Sequence, residues 1–389
     1  MISLLRNSLS GAVMALLLLG PAQAFETRAK SAFVVDLRTS TVLLNKNADV
    51  PLPPASMSKL MTLYIAFEAL KDGRLTLDEE LPVSEHAMSY GGSTMFLDTT
   101  DRVRVEDLIR GIIVLSGNDA CAVIAEALSP NGTEAGFARY MTQRAQKMGM
   151  TNSTFANSNG WPAAGHRMST RDLALLATRL IEDFPQYYPL FAEREFAFDG
   201  RAPQNTRNRN PLLGLGIGAD GLKTGHTQEA GYGLVGSSMQ GDRRIVFVVS
   251  GLDSTKARAE EAEAIVNWSF RQFVLRDVAK EGAVIAEADV WMGAAPRVGL
   301  TPAADISALL PAIGGDAMQA EVVYKGPIEA PIRQGQVLAE LILKPEGLEE
   351  VSYPLVADKD VPVGGFVTRV GTAAKALLRR LEQGPEGAS

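Results

Sequence analysis

The segment Pro54-Ala55-Ser56-Met57-Ser58-Lys59-Leu60-Met61-Thr62 decides how the chain is read. A proline-rich loop, Pro51 to Ala55, runs into a stretch rich in Leu, Met and Ala that ends at Asp72-Gly73. Loop, apolar run and glycine stop together predict a helix over Ser58 to Leu70. Ser56 then stands at the helix N-terminus and Lys59 one turn on, both on one side. Serine is a poor nucleophile until a neighbouring base takes its proton. No Ser/His/Asp arrangement is evident, so Lys59 is the natural base, provided it is neutral. Holding an ordinary lysine half-neutral at pH 7 costs about 4–5 kcal/mol. Desolvation and a second cation supply a shift of that kind, and Lys223 is the candidate cation.

Two further short motifs follow in order, Ser116-Gly117-Asn118 and Lys223-Thr224-Gly225. Singly the first two motifs are weak, and Ser129-Pro130-Asn131 is a second S-x-N. Their joint order and context carry the argument. Ser116 is placed to pass a proton to a leaving group, and Asn118 to hold Lys59 and a substrate amide. The Ser56 backbone N–H, at a helix start, is one good oxyanion donor, and the strand at His226 is expected to give the second.

Outward from these motifs, Ser31 to Leu37 and Thr41 to Asn45 read as two strands around a turn at Arg38-Thr39-Ser40. Helices are predicted over Val105 to Leu115, Asp119 to Leu128 and Arg171 to Ile181, with a long closing helix over Lys256 to Leu275. Lys223-Thr224-Gly225 precedes two apolar strands, Tyr232 to Ser238 and Arg244 to Gly251. Strands at both ends and helices between imply an α/β (α+β) domain, its one sheet closed by the two ends around a helical insertion. Beyond Leu275, short Val/Ile-rich runs (283–292, 320–324, 336–343 and 350–355) alternate with Gly/Pro turns, which reads as a small all-β domain over 276–365.

The N-terminus has a different character. Arg6 and the terminal amine precede an uncharged apolar run from Ala12 to Leu19, and Ala22-Gln23-Ala24 follows. That is a signal peptide over 1–24, with a mature chain beginning near Phe25 outside the cytoplasm. The apolar run is too short to span a bilayer core of about 30 Å. The competing reading is a buried N-terminal helix. At 389 residues, 46% hydrophobic and 21% charged, the chain is long enough for two soluble globular domains. A formal net charge of −7, with no basic patch, argues against a nucleic-acid partner. Cys121 is the only cysteine, so no intramolecular disulfide exists; it reads as a small buried helix residue rather than a regulatory thiol. His86, His166 and His226 are scattered without i,i+4 partners, which argues against a His/Cys zinc site, and no cofactor is implied.

S-x-x-K, S-x-N and K-T-G in this order are the signature set of penicillin-binding proteins and class A β-lactamases. The strings 54–62, Leu108-Ile109-Arg110-Gly111 with Ser116 to Cys121, and 220–227 resemble the low-molecular-mass penicillin-binding proteins, which are D-alanyl-D-alanine carboxypeptidases of the S11 peptidase type. Asn157 to Pro162 and Asn208 to Leu213 match further family segments. The resemblance covers roughly residues 30 to 275 strongly, then a C-terminal β domain and a terminal amphipathic helix more weakly. It implies a serine β-lactamase/transpeptidase-like fold over 25–275 that acts on peptidoglycan stem peptides and is inhibited by β-lactams. Ser56 would form the acyl-enzyme, Lys59 would be the base, and Ser116 and Asn118 would assist. Lys223, Thr224 and Arg209 would bind the terminal carboxylate of the substrate, with Gly225 and His226 lining the same strand. Two departures stand out: Trp161 replaces a smaller apolar residue, and Asp98-Thr99-Thr100-Asp101 replaces a glycine-containing turn.

Alternatives remain at this point. A class A β-lactamase needs a deacylating glutamate after the second motif, yet no Asp or Glu occurs from Tyr140 to Arg171. A D,D-endopeptidase that cleaves cross-links would use the same residues, and a non-enzymatic wall-binding scaffold would need none of them. Arg209 has a bland reading too, as a brace for surface acids; His86 and His166 read as structural, and His226 mainly as a backbone donor. On a helical wheel Phe366, Val367, Val370, Ala374, Leu377, Leu378 and Leu381 fill one arc, with Arg369, Lys375, Arg379 and Arg380 opposite. That pattern implies an amphipathic helix over 366–389 lying on an anionic membrane surface, the outer face of the inner membrane for a periplasmic protein. The competing reading is a helix packed on the β domain.

Overall fold

The computed structural model describes residues 25–201, 203–312, 318–345 and 348–366. The expected leader at 1–24 lies outside them, as does the expected terminal helix apart from Phe366, which is exposed.

The first part of the chain runs β1 (Ser31–Asp36), β2 (Val42–Lys46), α1 (Lys59–Lys71), β3 (Glu80–Pro82), α2 (Glu85–Met88), β4 (Arg102–Arg104), α3 (Val105–Arg110), α4 (Asn118–Leu128), α5 (Glu134–Lys147) and α6 (Thr170–Asp183). It returns as β5 (Ala219–Thr227), β6 (Gly231–Gln240), β7 (Arg243–Leu252) and α7 (Thr255–Arg271). The five-stranded antiparallel sheet has the order β2-β1-β7-β6-β5, so the two ends do close one sheet around a helical insertion. Strand alternation sorts the two faces. Val246 and Val248 join the core that contains α1, while Ile245, Phe247 and Val249 join the core that contains α7. Helix α1 is buried from Lys59 through Phe67, as a helix apolar on all sides should be.

Capping fixes several helix starts. The side chains of Ser84, Thr133, Ser169 and Ser254 each accept the amide three residues on, at the starts of α2, α5, α6 and α7. The second S-x-N motif belongs to this system, since Asn131 Oδ1 accepts from the Thr133 amide and hydroxyl just before α5. The Lys-Thr-Gly segment precedes β6 and β7 as expected and itself lies within β5. One element boundary needs correction. The closing helix ends at Arg271, and its expected last residues enter β8 (Phe273–Ala279). Helix α5 carried no clear signal because its exposed face is long and charged.

Among the described residues, seven strands follow β8: β9 (Ala286–Trp291), β10 (Arg297–Pro302), β11 (Ile306–Pro311), β12 (Gln319–Val323), β13 (Ile328–Glu329), β14 (Val337–Lys344) and β15 (Val351–Ala357). They form a six-stranded sheet, β12-β14-β15-β10-β9-β13, and the pair β11-β8, around a separate core that includes Leu300, Leu341, Leu343 and Leu355.

One buried ion pair ties the start of the large sheet to β8. Asp36, whose side chain is fully buried, accepts from Arg243 Nε at 2.5 Å and from the amides of Arg38 and Thr39 in the β1–β2 turn. Arg243 also donates to the Phe273 carbonyl at 3.1 Å. Removing the cation would leave a buried carboxylate uncompensated. Arg243→Met should therefore cost about 3–5 kcal/mol, read as a lower urea midpoint for the large domain. A change below about 1 kcal/mol would show that the pair contributes no net stability.

Candidate active site

Ser56 lies in a 3-10 turn, Ala55–Ser58, that feeds directly into α1. Ala55 precedes it with φ +49°, a left-handed conformation that costs a non-glycine residue roughly 1–3 kcal/mol and that local packing must hold. Gly160 shows how tight that packing is, because a Cβ there would stand 1.9 Å from the Ala55 carbonyl oxygen. Only glycine allows the 157–161 loop to lie on the residue before the serine.

Lys59 is completely buried one turn on. Its Nζ contacts Ser56 Oγ at 2.9 Å, Asn118 Oδ1 at 2.7 Å and the Asn159 carbonyl at 2.6 Å. The last two partners only accept. A neutral amine has two N–H bonds, so it satisfies both carbonyls and turns its lone pair toward the Ser56 hydroxyl. Burial, with the Arg209 cation adding to it, pushes the Lys59 pKa down to about 8, against opposition from Asp119 and Glu134. Neutralising Lys59 at pH 7 then costs about 1.4 kcal/mol in place of the 4–5 kcal/mol of an exposed lysine.

The second cation differs from the expectation. Burial, Lys59 and Arg209 together hold Lys223 well below the ordinary lysine range, and the cation that lowers Lys59 is Arg209. Lys223 Nζ donates to Ser116 Oγ at 2.9 Å. Ser116 closes a π turn over Gly111–Leu115 and is itself left-handed, with φ +64°. Such a bulge reorients the residue that follows it, which is how a helix run of buried apolar residues ends in a hydroxyl aimed at Lys223. Asn118 heads α4, and its side-chain amide donates to the Gly91 carbonyl at 2.8 Å.

Strand β5 lies at the sheet edge and packs on the serine turn at Gly225, where a Cβ would meet Met57 Cγ and the Pro54 carbonyl at 3.0 Å. Thr224 is buried beside it. The next residue, His226, exposes its ring and stacks it on Tyr232 at 3.9 Å between centroids. Arg209 is exposed at the mouth of the site and donates to Ser93 Oγ, the Leu115 carbonyl and Asn205 Oδ1. These partners are neutral, which removes the reading of Arg209 as a brace for surface acids. Desolvation lowers its pKa.

Several residues that support this arrangement carried no motif. Asn159 supplies its backbone carbonyl to Lys59, a role invisible to any side-chain pattern. Buried Glu134 accepts from Ser158 N and Oγ, Tyr90 Oη and His86 Nε2, and so fixes the strip that ends in Asn159. Desolvation would raise its carboxyl, but those hydrogen bonds outweigh it and hold the pKa below the usual range. Asp119 accepts from the amides of Met95 and Leu97, which pins the 93–97 loop against α4. Arg258, 7% exposed, packs over Tyr232 and reaches the Arg209 carbonyl, and its Nε has no hydrogen-bond partner among the described residues. Cys121 is fully buried, and burial pushes its thiol up to about 12, so it stays protonated and inert. The Asp98–Asp101 turn, which departs from the family pattern, is clamped by Arg201 on both Asp101 oxygens.

The family model for D-alanyl-D-alanine carboxypeptidase, peptidase S11, matches residues 20–254, and that for the penicillin-binding protein 5 C-terminal domain matches residues 273–363. The chain is 36% identical over 351 residues to the D-alanyl-D-alanine carboxypeptidase DacC of Escherichia coli, covering 88% of this chain and 86% of that protein. Among solved structures it resembles penicillin-binding protein 5 of Haemophilus influenzae, with a TM-score of 0.76 and 30% identity over 87% of this chain and 99% of the other. Penicillin-binding protein D2 of Listeria monocytogenes, in its ampicillin-bound form, matches with a TM-score of 0.57 and 31% identity over 63% of this chain and 98% of the other. With the family model spanning more than half of its length, the chain belongs to the S11 D-alanyl-D-alanine carboxypeptidases.

Proposed function

We propose that this enzyme removes the terminal D-alanine from peptidoglycan stem pentapeptides through an acyl-enzyme on Ser56, and that β-lactams acylate the same hydroxyl. The observation that carries the reading is a completely buried lysine amine 2.9 Å from a serine hydroxyl at a helix start. In the first step the Ser56 proton passes to Lys59 Nζ, and Oγ bonds to the carbonyl carbon of the penultimate D-alanine. The amides of Ser56 and His226 receive the developing oxyanion. Collapse breaks the C–N bond, and the leaving amine takes, through Ser116, the proton that Lys59 had accepted, which leaves Lys59 neutral again. Water, deprotonated by Lys59, then releases the shortened peptide. With a β-lactam the same C–N cleavage leaves the amine tethered. Lys223, Thr224 and Arg209 are proposed to hold the free carboxylate of the substrate, which suits cations that have no acid of their own. A β-lactamase would need a free carboxylate to drive deacylation. Glu134 has both of its oxygens engaged by protein donors and does not supply one.

The chain is further proposed to be secreted to the periplasm with 1–24 removed and held on the outer face of the inner membrane by 366–389. A break between the catalytic domain and the β domain at Gln272, between α7 and β8, is also proposed, a few residues before the 275/276 boundary read from sequence.

Three outcomes are expected. Ser56→Ala should abolish D-alanine release and penicillin labelling together, and a penicilloyl adduct on another residue would overturn the nucleophile. Because the neutral form of Lys59 grows as pH rises, kcat/KM should climb with pH through a limb centred near 8. Lys59→Arg, which keeps charge but cannot deprotonate, should lose about 10²–10⁴-fold in acylation.

Amidating the C-terminal carboxylate should weaken wild-type turnover by about 1–3 kcal/mol, the worth of a hydrogen bond to a charged group. Arg209→Ala should narrow that gap between acid and amide substrates. An unchanged gap would assign Arg209 to bracing the Ser93 and Asn205 loops.

Truncation before Phe366 should move the enzyme to the soluble fraction with unchanged kcat/KM. Each cation of the segment is worth about 1 kcal/mol at an anionic surface, so charge reversal at Arg379 and Arg380 should weaken binding to anionic vesicles and not to neutral ones. Equal sedimentation of truncated and full-length enzyme with membranes would refute the tether.

A further inference from the structure

The Asp98-Thr99-Thr100-Asp101 turn, which departs from the family pattern, lies outside the reacting groups, yet it forms one end of a polar seam that reaches them. Asp98 Oδ1 accepts from the Thr100 amide, and Asp101 Oδ2 accepts from the Asp98 amide, both at 2.8 Å, so the turn holds its own shape. A second loop faces it. Phe196 N donates to the Thr206 carbonyl and Asn208 N to the Arg194 carbonyl, each at 2.8 Å, which pairs the two limbs of a hairpin around Glu195 and Arg207. Arg201 stands toward the outer end of this hairpin, and the return limb leads directly into Arg209.

Arg201 draws the two loops together. Each of its three side-chain nitrogens reaches a carboxylate: Nη1 and Nη2 take the two Asp101 oxygens at 2.6 and 3.0 Å, and Nε takes Asp199 at 2.8 Å. Nη1 also donates to the Phe96 carbonyl at 2.9 Å. Phe96 is left-handed, with φ +61°, a conformation that its surroundings must enforce. The amides of Met95 and Leu97 on either side of it go to Asp119, so the loop is pinned by Asp119 on one side and by Arg201 on the other. Isolated surface ion pairs contribute little. This one is a two-pronged fork whose side chains are only 27% and 17% exposed, and it shares its cation with a second acid and a carbonyl.

From the clamp the seam runs inward to the mouth of the site. The Thr94 carbonyl accepts from Asn205 Nδ2 at 3.4 Å. Arg209 donates to Ser93 Oγ at 2.7 Å and to Asn205 Oδ1 at 2.9 Å, one partner from each loop. The spacing of the loops therefore decides where the Arg209 guanidinium stands. The inner contacts are neutral, and among the described residues Arg201 with Asp101 is the ionic link between the two loops. We infer that Arg201 and Asp101 form a clamp that positions Arg209, and through it sets the preference for a substrate with a free terminal carboxylate.

This inference rests on the carboxylate-binding role proposed for Arg209, and one matched pair of substrates separates the two. Diacetyl-lysyl-D-alanyl-D-alanine and its C-terminal amide are compared by KM and kcat for loss of the terminal residue. Wild type is set beside Arg201→Gln, Asp101→Asn, Arg209→Ala and the double variant Arg201→Gln, Arg209→Ala. Arg201→Gln and Asp101→Asn should each lower kcat/KM for the acid by roughly three- to tenfold, carried by KM, and leave the amide within about twofold, as expected of coupling within one hydrogen-bonded network. In the Arg209→Ala background, Arg201→Gln should not change the gap between acid and amide further. A merely structural brace would slow both substrates in parallel, or act equally with and without Arg209, and either result would overturn the clamp. So would a gap that Arg209→Ala removes and Arg201→Gln leaves intact. Equal turnover of acid and amide by wild type would instead refute the carboxylate site, and the clamp with it.

Discussion

The arrangement depends on keeping one amine dry. Lys59 is suited to act as a base because water is excluded from it, and the elements near the site contribute to that exclusion. Helix α1 passes through the core, so its first turn is the only part that faces the reacting groups. A lysine buried this way would ordinarily demand a carboxylate. Instead it meets two carbonyls and a hydroxyl, which satisfy its hydrogens without restoring its charge. Placing a carboxylate there would stabilise the ammonium and remove the base.

That constraint explains the surrounding architecture. The 157–161 loop must lie close enough to present the Asn159 carbonyl, which is why Gly160 sits against the Ala55 carbonyl. The loop is held from behind by Glu134, whose charge is spent on protein donors. Across the site, the π turn and left-handed Ser116 bring a second lysine to a hydroxyl. Asp119 holds the facing loop by its backbone amides, so its side chain is engaged away from Lys59. The acids near the site are thus all committed, while Lys223, Arg209 and Arg258 have neutral partners. Such a cluster of basic groups, with Arg209 exposed at the mouth, is suited to an anionic substrate end. The same logic separates this site from a hydrolase that relies on a free glutamate.

The sequence by itself picked out the candidate nucleophile, the proposed base and the order of the three motifs. A serine and a lysine one helical turn apart are local facts, fixed by helix periodicity. It also determined that the ends of the catalytic region share a sheet and that a β-rich unit follows, because strand alternation and turn residues are local signals too. Where sequence reading went astray, the reason was equally local. The closing helix had no glycine or proline at Arg271 to stop it, and pairing of β8 with β11 decided its end.

Tertiary structure alone decided the rest. No pattern along the chain shows that Asn159 offers its backbone to a lysine 100 residues away, or that Glu134 holds that backbone in place. Which cation acts on Lys59 was likewise a matter of packing, since Arg209 and Lys223 both lie far from Lys59 along the chain. The clamp of Arg201 on Asp101 likewise joins two loops whose charges stand 100 positions apart. Motifs record which atoms react, because reactivity resides in residue type. The dryness that makes them react, and the walls that choose what they react with, arise only when distant segments close over one another.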